Sequence, residues 1–558
     1  MGAIAAAGCS KGDGPTREGT AADDGGSAGN GQHGDAAAGG SVAGSAGAAG
    51  DRGGSAGGGS GPPAPAMRSG GAACKGIPDG ARDPLAAGAK VSAKVAVGAA
   101  GACTIASDFV GANYVAFPGW GADVSMSAFQ KSVLADAGAR LLRYPGGAPG
   151  DYTDLLMTDT CQKGEPPNWG APAYGALWEF ARSFGARGLL LQTNPTPQWC
   201  KAGEHDASGA HAADVARDAA RLHVPVVYEV GNEPDLGDSW FVKNGGADAY
   251  TAKFIEHAKA IHDAAPGAEV YGPAVCGLGG NCSFPVDWDT GYLDKFLAAT
   301  GNRAMGAGKG VVDGVSFHVY WHPEWGFTDL QQAKIDKYGF ALYWANTVMP
   351  YLRALIAKHD TRDLPIVLTE VSLGNGIAKD AGQKQNMFSV LGTLDVIGAF
   401  AVSGLRSFQW FDANAEGPSD FWIATKTDPK PLFYAFAAWA RMGNVVADVT
   451  SSARHQDVAT YATKSGDGAV QVLVVNKTAS AHDVELSFDG FDPKGKAVRV
   501  DLVSPQTSGT DTSAGVLWNG AANPMPGKLP SAAAKPAAAS VIVQSVPAFS
   551  AAVVSIGP

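Results

Sequence analysis

The stretch Tyr228-Glu229-Val230-Gly231-Asn232-Glu233-Pro234-Asp235 sets the reading of this chain. Residues 224–230 leading into it are short, apolar and β-branched, the marks of a buried strand. Pro234 lacks the N–H that a ladder needs, so the strand stops there. Glu233 is thereby held at the C-terminal tip of a core strand, with the Asn232 amide beside it. In an α/β barrel those tips form the rim where chemistry is done. A second carboxylate ends the apolar run Pro365-Ile366-Val367-Leu368-Thr369-Glu370. Two carboxylates carried by parallel strands to one rim suit the cleavage of a glycosidic bond.

Working outward, strand and helix patterns alternate across residues 105–442. Strands are expected at 109–115, 139–144, 188–192, 224–230, 269–272, 314–320, 366–370 and 405–411. Helical patterns follow each of them, the last at 432–441. This alternation predicts an α/β chain closed as a (β/α)8 TIM barrel. An open doubly wound sheet is the rival, but no Gly-rich dinucleotide fingerprint follows any strand. Residues 443–558 change to alternating β segments with turn residues between them, which predicts an appended C-terminal β-sandwich. Residues 76–104 contain one strand pattern, 91–97, expected to join that sandwich. The Pro/Ala/Gly-rich stretch 504–535 reads as a loop. Residues 1–75 are largely Gly, Ala, Ser and Asp and are expected to form a disordered tether.

The formal net charge of −11 argues against nucleic acid or an anionic membrane surface as partner. Seven cysteines are present, and setting Cys9 aside leaves an even number. The natural pairs are Cys276 with Cys282, Cys161 with Cys200, and Cys74 with Cys103. Zinc is the alternative use, but no clustered Cys/His spacing supports it, so disulfides in an oxidising compartment are expected. Ala6-Ala7-Gly8-Cys9 resembles a bacterial lipobox, implying lipidation of Cys9 and a membrane tether; an ordinary Ala/Gly-rich terminus with one Cys is the other reading. Both would suit an exported protein, either secreted or held at the cell envelope.

The other strand tips are polar and aromatic. They offer Asn113, Arg143 in Leu141-Leu142-Arg143-Tyr144-Pro145-Gly146-Gly147, Asn194, His318 and Tyr320, and Trp410 as a sugar platform. Trp410, His318 and Tyr320 could equally be core groups. Glu229 and Asp395 read as structural, away from the tips. A retaining glycosidase needs two carboxyls about 5–5.5 Å apart, one protonated and one ionised, with their environments holding the two pKa values apart. Arg143, with Tyr320 or His318, would keep Glu370 ionised. Asn232 could donate to a sugar hydroxyl. This chemistry calls for no metal and no cofactor, and its partner is an oligo- or polysaccharide.

These residues resemble a known group. Gly231-Asn232-Glu233-Pro234 and Thr369-Glu370 are similar to the motifs of the retaining glycoside hydrolases of clan A. That resemblance implies Glu233 as acid/base and Glu370 as nucleophile. It also matches Arg143 to the arginine of the clan's second strand, and Tyr320, with His318 competing, to the partner on the sixth. The arginine segment is similar to that of the clan's α-L-arabinofuranosidases. Val230-Gly231-Asn232-Glu233-Pro234-Asp235-Leu236 looks most like the heparanase and β-glucuronidase family. That family places Tyr-Gly-Gly beyond the nucleophile to hold a uronate; here the stretch is Asn375-Gly376-Ile377. A β-xylosidase, a β-glucosidase or a non-catalytic carbohydrate-binding barrel are the other readings.

Overall fold

Eight parallel strands close on themselves into a barrel. The computed structural model describes residues 74–78, 83–98, 103–115, 126–151, 153–156, 173–200, 203–204, 206–236, 239–276, 291–306, 310–321, 340–373, 386–413, 423–507 and 515–558. Residues 1–73 of the expected tether, with Cys9 among them, lie outside them, as do Cys161, Cys282, Asn375, Gly376 and the Cys200 side chain.

Strand β1 (Val91–Ala96) precedes the barrel. The barrel then opens with β2 (Val110–Asn113), β3 (Leu141–Tyr144) and β4 (Gly188–Thr193). A small hairpin of β5 (Gln198–Cys200) and β6 (Gly203–Glu204) follows. The barrel continues with β7 (Val226–Val230), β8 (Glu269–Cys276), β9 (Gly314–Trp321), β10 (Ile366–Leu373) and β11 (Ser407–Trp410). β11 pairs with β2 and shuts the ring. Every residue of β4 is buried, and its first four, Gly188 to Leu191, are apolar, since a barrel strand is covered on both faces; the polar Gln192 and Thr193 come only at its C-terminal end.

Alternation decides what each strand sends inward. Leu141, Leu190, Val227, Tyr271 and Val367 form a separate cluster. They come from β3, β4, β7, β8 and β10 and fill the barrel interior. Their neighbours Leu142, Leu189, Tyr228, Val270 and Leu368 instead join the large core under the helices. Two residues beyond the inner cluster, the same side of the strands carries Arg143, Gln192 and Glu229, all without solvent exposure. The polar site is therefore stacked on an apolar plug.

The second part of the fold is a β-sandwich made of β1 and the strands after the barrel. These are β12 (Val445–Ser451), β13 (Val458–Lys464), β14 (Val470–Asn476), β15 (His482–Asp489), β16 (Ala497–Pro505), β17 (Val516–Trp518), β18 (Ala521–Ala522), β19 (Lys535–Pro536), β20 (Ile542–Val546) and β21 (Ser550–Ile556). β12 pairs with β13 on one side and with β1 on the other, linking the two layers. Val91, Ala93 and Val95 of β1 meet Val472, Val474, Val484 and Val554 in one apolar cluster. The opposite face of β13 and β14, with Tyr461 and Leu473, belongs to the barrel's core. The stretch 504–535 is not simply a loop: it contains the β17–β18 hairpin, because Trp518 finds a buried site and its indole N–H donates to the Pro530 carbonyl at 3.0 Å.

Cys74 and Cys103 form a disulfide. Cys276 is also disulfide-bonded, and Cys282, the partner expected for it, is outside the described residues, as is the expected Cys161–Cys200 pair. No helix among the described residues is long and apolar enough to cross a membrane.

Candidate active site

Arg143 organises the barrel mouth. Its Nε donates to Glu229 at 2.7 Å, and its Nη1 donates to Glu370 at 2.7 Å and to Asn113 at 3.0 Å. Nη2 donates to the Asn232 side-chain oxygen at 2.9 Å and lies 3.5 Å from His318 Nε2. Burial works against the Arg143 charge, but Glu229 and Glu370 outweigh it and leave its pKa raised. A rigid, permanently charged fork with a partner at each tooth is a task for arginine and not for lysine.

Glu370 comes from β10, where strict alternation from Val367 would turn it outward. A bulge between Leu368 and Glu370 shifts the register against β9, so that Glu370 pairs with His318 and joins the inward set. Its second oxygen accepts a hydrogen bond from the Tyr320 hydroxyl. Burial, reinforced by the Glu370 and Glu233 carboxyls, pushes the Tyr320 phenol well above its ordinary range, so it stays a donor. Gly147 lies directly over this carboxylate. A Cβ there would stand 3.0 Å from Glu370 Oε1 and 3.1 Å from the Phe411 ring, and its φ of +72° is one that glycine takes freely.

Glu233 is held differently. It has φ +41°, a left-handed conformation costly to any residue but glycine. Its N–H donates to the Ala274 carbonyl at 2.9 Å, which helps hold the turn. His318 Nδ1 lies 2.8 Å from Glu233 Oε1. Burial pulls the His318 imidazole down to about 4; Glu370 pulls the other way and Arg143 adds to the fall. The ring is therefore neutral at pH 7. Arg143 can only donate, so Nε2 is the acceptor and Nδ1 carries the hydrogen that points at Glu233. Asp235, two residues on, accepts from the Cys276 N–H at 2.8 Å. Burial, with Glu233 adding to it, pushes the Asp235 carboxyl up to about 7.

One oxygen of Glu233, one of Glu370 and one nitrogen of His318 all lie within 4.8 Å of one another. Three such atoms could grip an ion, but Arg143 already supplies positive charge at 2.7 Å from Glu370. The arrangement can instead present a carboxylate for attack, gripped from both sides, with a less buried carboxyl opposite it: the Glu370 side chain is 4% exposed and that of Glu233 15%.

No protein-family profile matches the sequence, and no curated protein matches it in sequence. Solved structures do match. A GH51 arabinofuranosidase from Xanthomonas axonopodis pv. citri superposes with a TM-score of 0.60 at 14% identity, covering 84% of this chain and 99% of that one. A bifunctional glucanase-xylanase from a metagenome library gives 0.58 at 14% identity, with 84% and 99% covered. A Family 44 xyloglucanase from Paenibacillus polymyxa gives 0.57 at 14% identity, with 84% and 100% covered. The likeness is one of fold.

The remaining expected positions are spread differently. Asn113 does face inward, but both hydrogens of its amide serve the barrel, going to the Thr369 and Gln409 carbonyls at 3.0 and 3.2 Å. Asn194 braces a turn, donating to the Asp151 carbonyl at 2.7 Å and accepting from the Thr196 N–H at 2.9 Å. Trp410 is not a sugar platform. It sits at an outward position of β11, 1% exposed, with its ring 5.2 Å from that of Phe436 in the helix layer. The next residue, Phe411, takes the inward place beside Gly147, with its ring 6.3 Å from that of Tyr320. Counting strand parity forward from Gln409 could have found it. Glu229, expected to be structural, holds the far end of Arg143 at 2.7 Å. Gln192, at the polar end of β4, accepts from the Gly146 N–H at 2.9 Å and sets the turn over Glu370.

Proposed function

We propose that the chain is a retaining glycosidase in which Glu370 is the nucleophile and Glu233 the acid/base. The single observation that carries this is the pairing of the two carboxyls, an oxygen of each within 4.8 Å of the other, one from the turn after β7 and one from β10. Retaining enzymes hold the pair about 5–5.5 Å apart, and inverting enzymes leave room for a water at about 6.5–9.5 Å. The Glu370 oxygen attacks the anomeric carbon while Glu233 protonates the departing oxygen. Water activated by Glu233 then releases the sugar with its configuration kept. Tyr320 and Arg143 aim Glu370, and the His318 N–H holds one oxygen of Glu233, leaving the other to carry the proton.

The sugar in this reading is neutral: an arabinofuranosyl, xylosyl or glucosyl unit. Two things favour it: an arabinofuranosidase and a glucanase-xylanase share the fold, and the Tyr-Gly-Gly that would hold a uronate is absent after Glu370. A β-glucuronidase is the second reading, favoured by the wording Val230-Gly231-Asn232-Glu233-Pro234-Asp235-Leu236. Export belongs to the same proposal, since the disulfides suit an oxidising compartment, with Cys9 as lipid anchor. The test is a panel of aryl α-L-arabinofuranoside, β-xyloside, β-glucoside, β-galactoside and β-glucuronide, with the first-formed anomer read by NMR. Turnover of at least one with retention is expected; an inverted product, or no turnover of any, overturns the reading.

A further inference from the structure

We propose that a cavity on the Glu233 side of the mouth is a subsite for a leaving-group sugar, so that the substrate is a saccharide chain and not a glycoside of a small alcohol. This rests on the glycosidase reading above.

The cavity measures about 250 Å³, and its wall includes Asn232 and Glu233. Glu370 and the Arg143, Tyr320 and His318 side chains that surround it are not on that wall. The side is decided by the chemistry. When Glu370 bonds to the anomeric carbon, the bond to the leaving oxygen breaks and its electron pair stays on that oxygen. The oxygen takes the Glu233 proton and departs as an alcohol. A pocket that contains the proton donor and excludes the nucleophile therefore lies where the leaving alcohol goes.

The wall also matches a sugar. Leu236 and Trp240 offer apolar surface, while Asp151, Ser239, Lys243 and Asn244 offer polar groups. A sugar ring needs both, having C–H faces and a rim of hydroxyls; a plain aryl or alkyl group needs only the first. The space exceeds the ~150 Å³ cavity that takes up a benzene molecule. Trp240 stands on a firm base. It opens the short helix Trp240–Lys243, whose start is capped by the Ser239 hydroxyl on the Phe241 N–H at 3.3 Å. Phe241 is buried, with its ring 5.3 Å from that of Tyr250, and the Asn244 amide donates to the Trp240 carbonyl at 2.7 Å.

The experiment uses two substrates of the sugar that the aryl panel identifies: its glycosyl fluoride, whose leaving atom is too small to fill the cavity, and its disaccharide. For Trp240→Ala, the ratio of disaccharide to fluoride kcat/KM should fall by roughly tenfold or more, the loss of one buried aromatic anchor. Trp240→Phe should keep most of that ratio, which separates the loss of an aromatic face from damage to the helix. With the fluoride as donor, added disaccharide should be glycosylated by the wild type and much less by Trp240→Ala. An unchanged ratio in Trp240→Ala overturns the subsite and leaves the glycosidase reading standing. Failure of the wild type to turn over any glycosyl fluoride overturns both.

Discussion

Arg143 Nε and Glu229 Oε2 meet at 2.7 Å with neither side chain exposed to solvent. The same guanidinium grips Glu370 with Nη1, so Glu229 governs the aim of the proposed nucleophile without touching it. Removing one member of a buried pair leaves an uncompensated charge, so Glu229→Ala should lose about 3–5 kcal/mol of stability in denaturant unfolding. Glu229→Gln keeps an acceptor for Nε and should fold. Its kcat should fall by up to roughly 100-fold through misplacement of the nucleophile, with KM little changed. A Gln variant with wild-type kcat would show that Glu229 is a scaffold group alone.

The two proposed glutamates should separate by rescue. Glu370→Ala has no nucleophile and should be inactive on every leaving group. Glu233→Ala, given an aryl glycoside with a good leaving group, should still form the covalent intermediate and accumulate it. Azide needs no general base and should restore its turnover, giving a glycosyl azide of retained configuration. Azide rescue of Glu370→Ala with retention, and none of Glu233→Ala, would mean the roles are reversed.

Stability should depend on pH through two groups with opposite signs. His318 has its folded pKa lowered to about 4. Between there and the ordinary histidine value of about 6.5 the unfolded chain binds the extra proton, so stability is lost as pH falls through that window. Asp235 has its folded pKa raised to about 7. From the ordinary aspartate value of about 3.9 up to 7 the folded chain holds the extra proton, so stability is lost as pH rises. Asp235→Asn keeps a carbonyl oxygen for the Cys276 N–H and removes the titration. It should raise Tm by a few degrees at pH 8 and by less at pH 5; equal shifts at the two pH values would contradict the Asp235 assignment.

The barrel and the sandwich are joined through Asp395, which accepts from the Lys477 ammonium at 2.6 Å and lies 2.8 Å from His455 Nε2. Burial works against its charge, but His455 and Lys477 outweigh that and hold its pKa well below the usual carboxylate range. Asp395→Ala would strand a buried lysine charge and should cost about 3–5 kcal/mol. Replacing both residues, as Asp395→Leu with Lys477→Met, should recover much of that loss. If the double variant unfolds no later than Asp395→Ala, the penalty comes from packing and not from charge.

Much of the fold was legible because barrel strands bury both faces and so begin as short apolar runs. The eight strand positions follow from that local rule, while the sandwich shows in the change to alternating segments and the mouth in the polar residues that close the runs. Glu233 and Glu370 were legible as candidates as well, each being a carboxylate that follows an apolar run, although β10 continues beyond Glu370 to Leu373 and was expected to stop there. Trp410 misled because an aromatic at a strand tip looks the same whether it faces the mouth or the helices. The pairing of Glu229 with Arg143 was not legible because the two are 86 residues apart in sequence.

The sequence by itself determined the order of the barrel strands and helices and that each of two of those strands delivers a carboxylate, since burial periodicity and turn residues act over a few positions. It did not show that β10 runs on past Glu370 to Leu373 or that a hairpin forms within 504–535. Only the tertiary structure decided which way the site residues face. The bulge before Glu370, the left-handed turn at Glu233 and the inward place of Phe411 beside Gly147 each depend on a neighbouring strand or loop: His318 opposite Glu370, Ala274 under Glu233, Glu370 beneath Gly147. Those partners lie tens to hundreds of residues apart along the chain. Only closure of the barrel brings them within hydrogen-bonding or contact distance, so no local pattern could encode the geometry of the site.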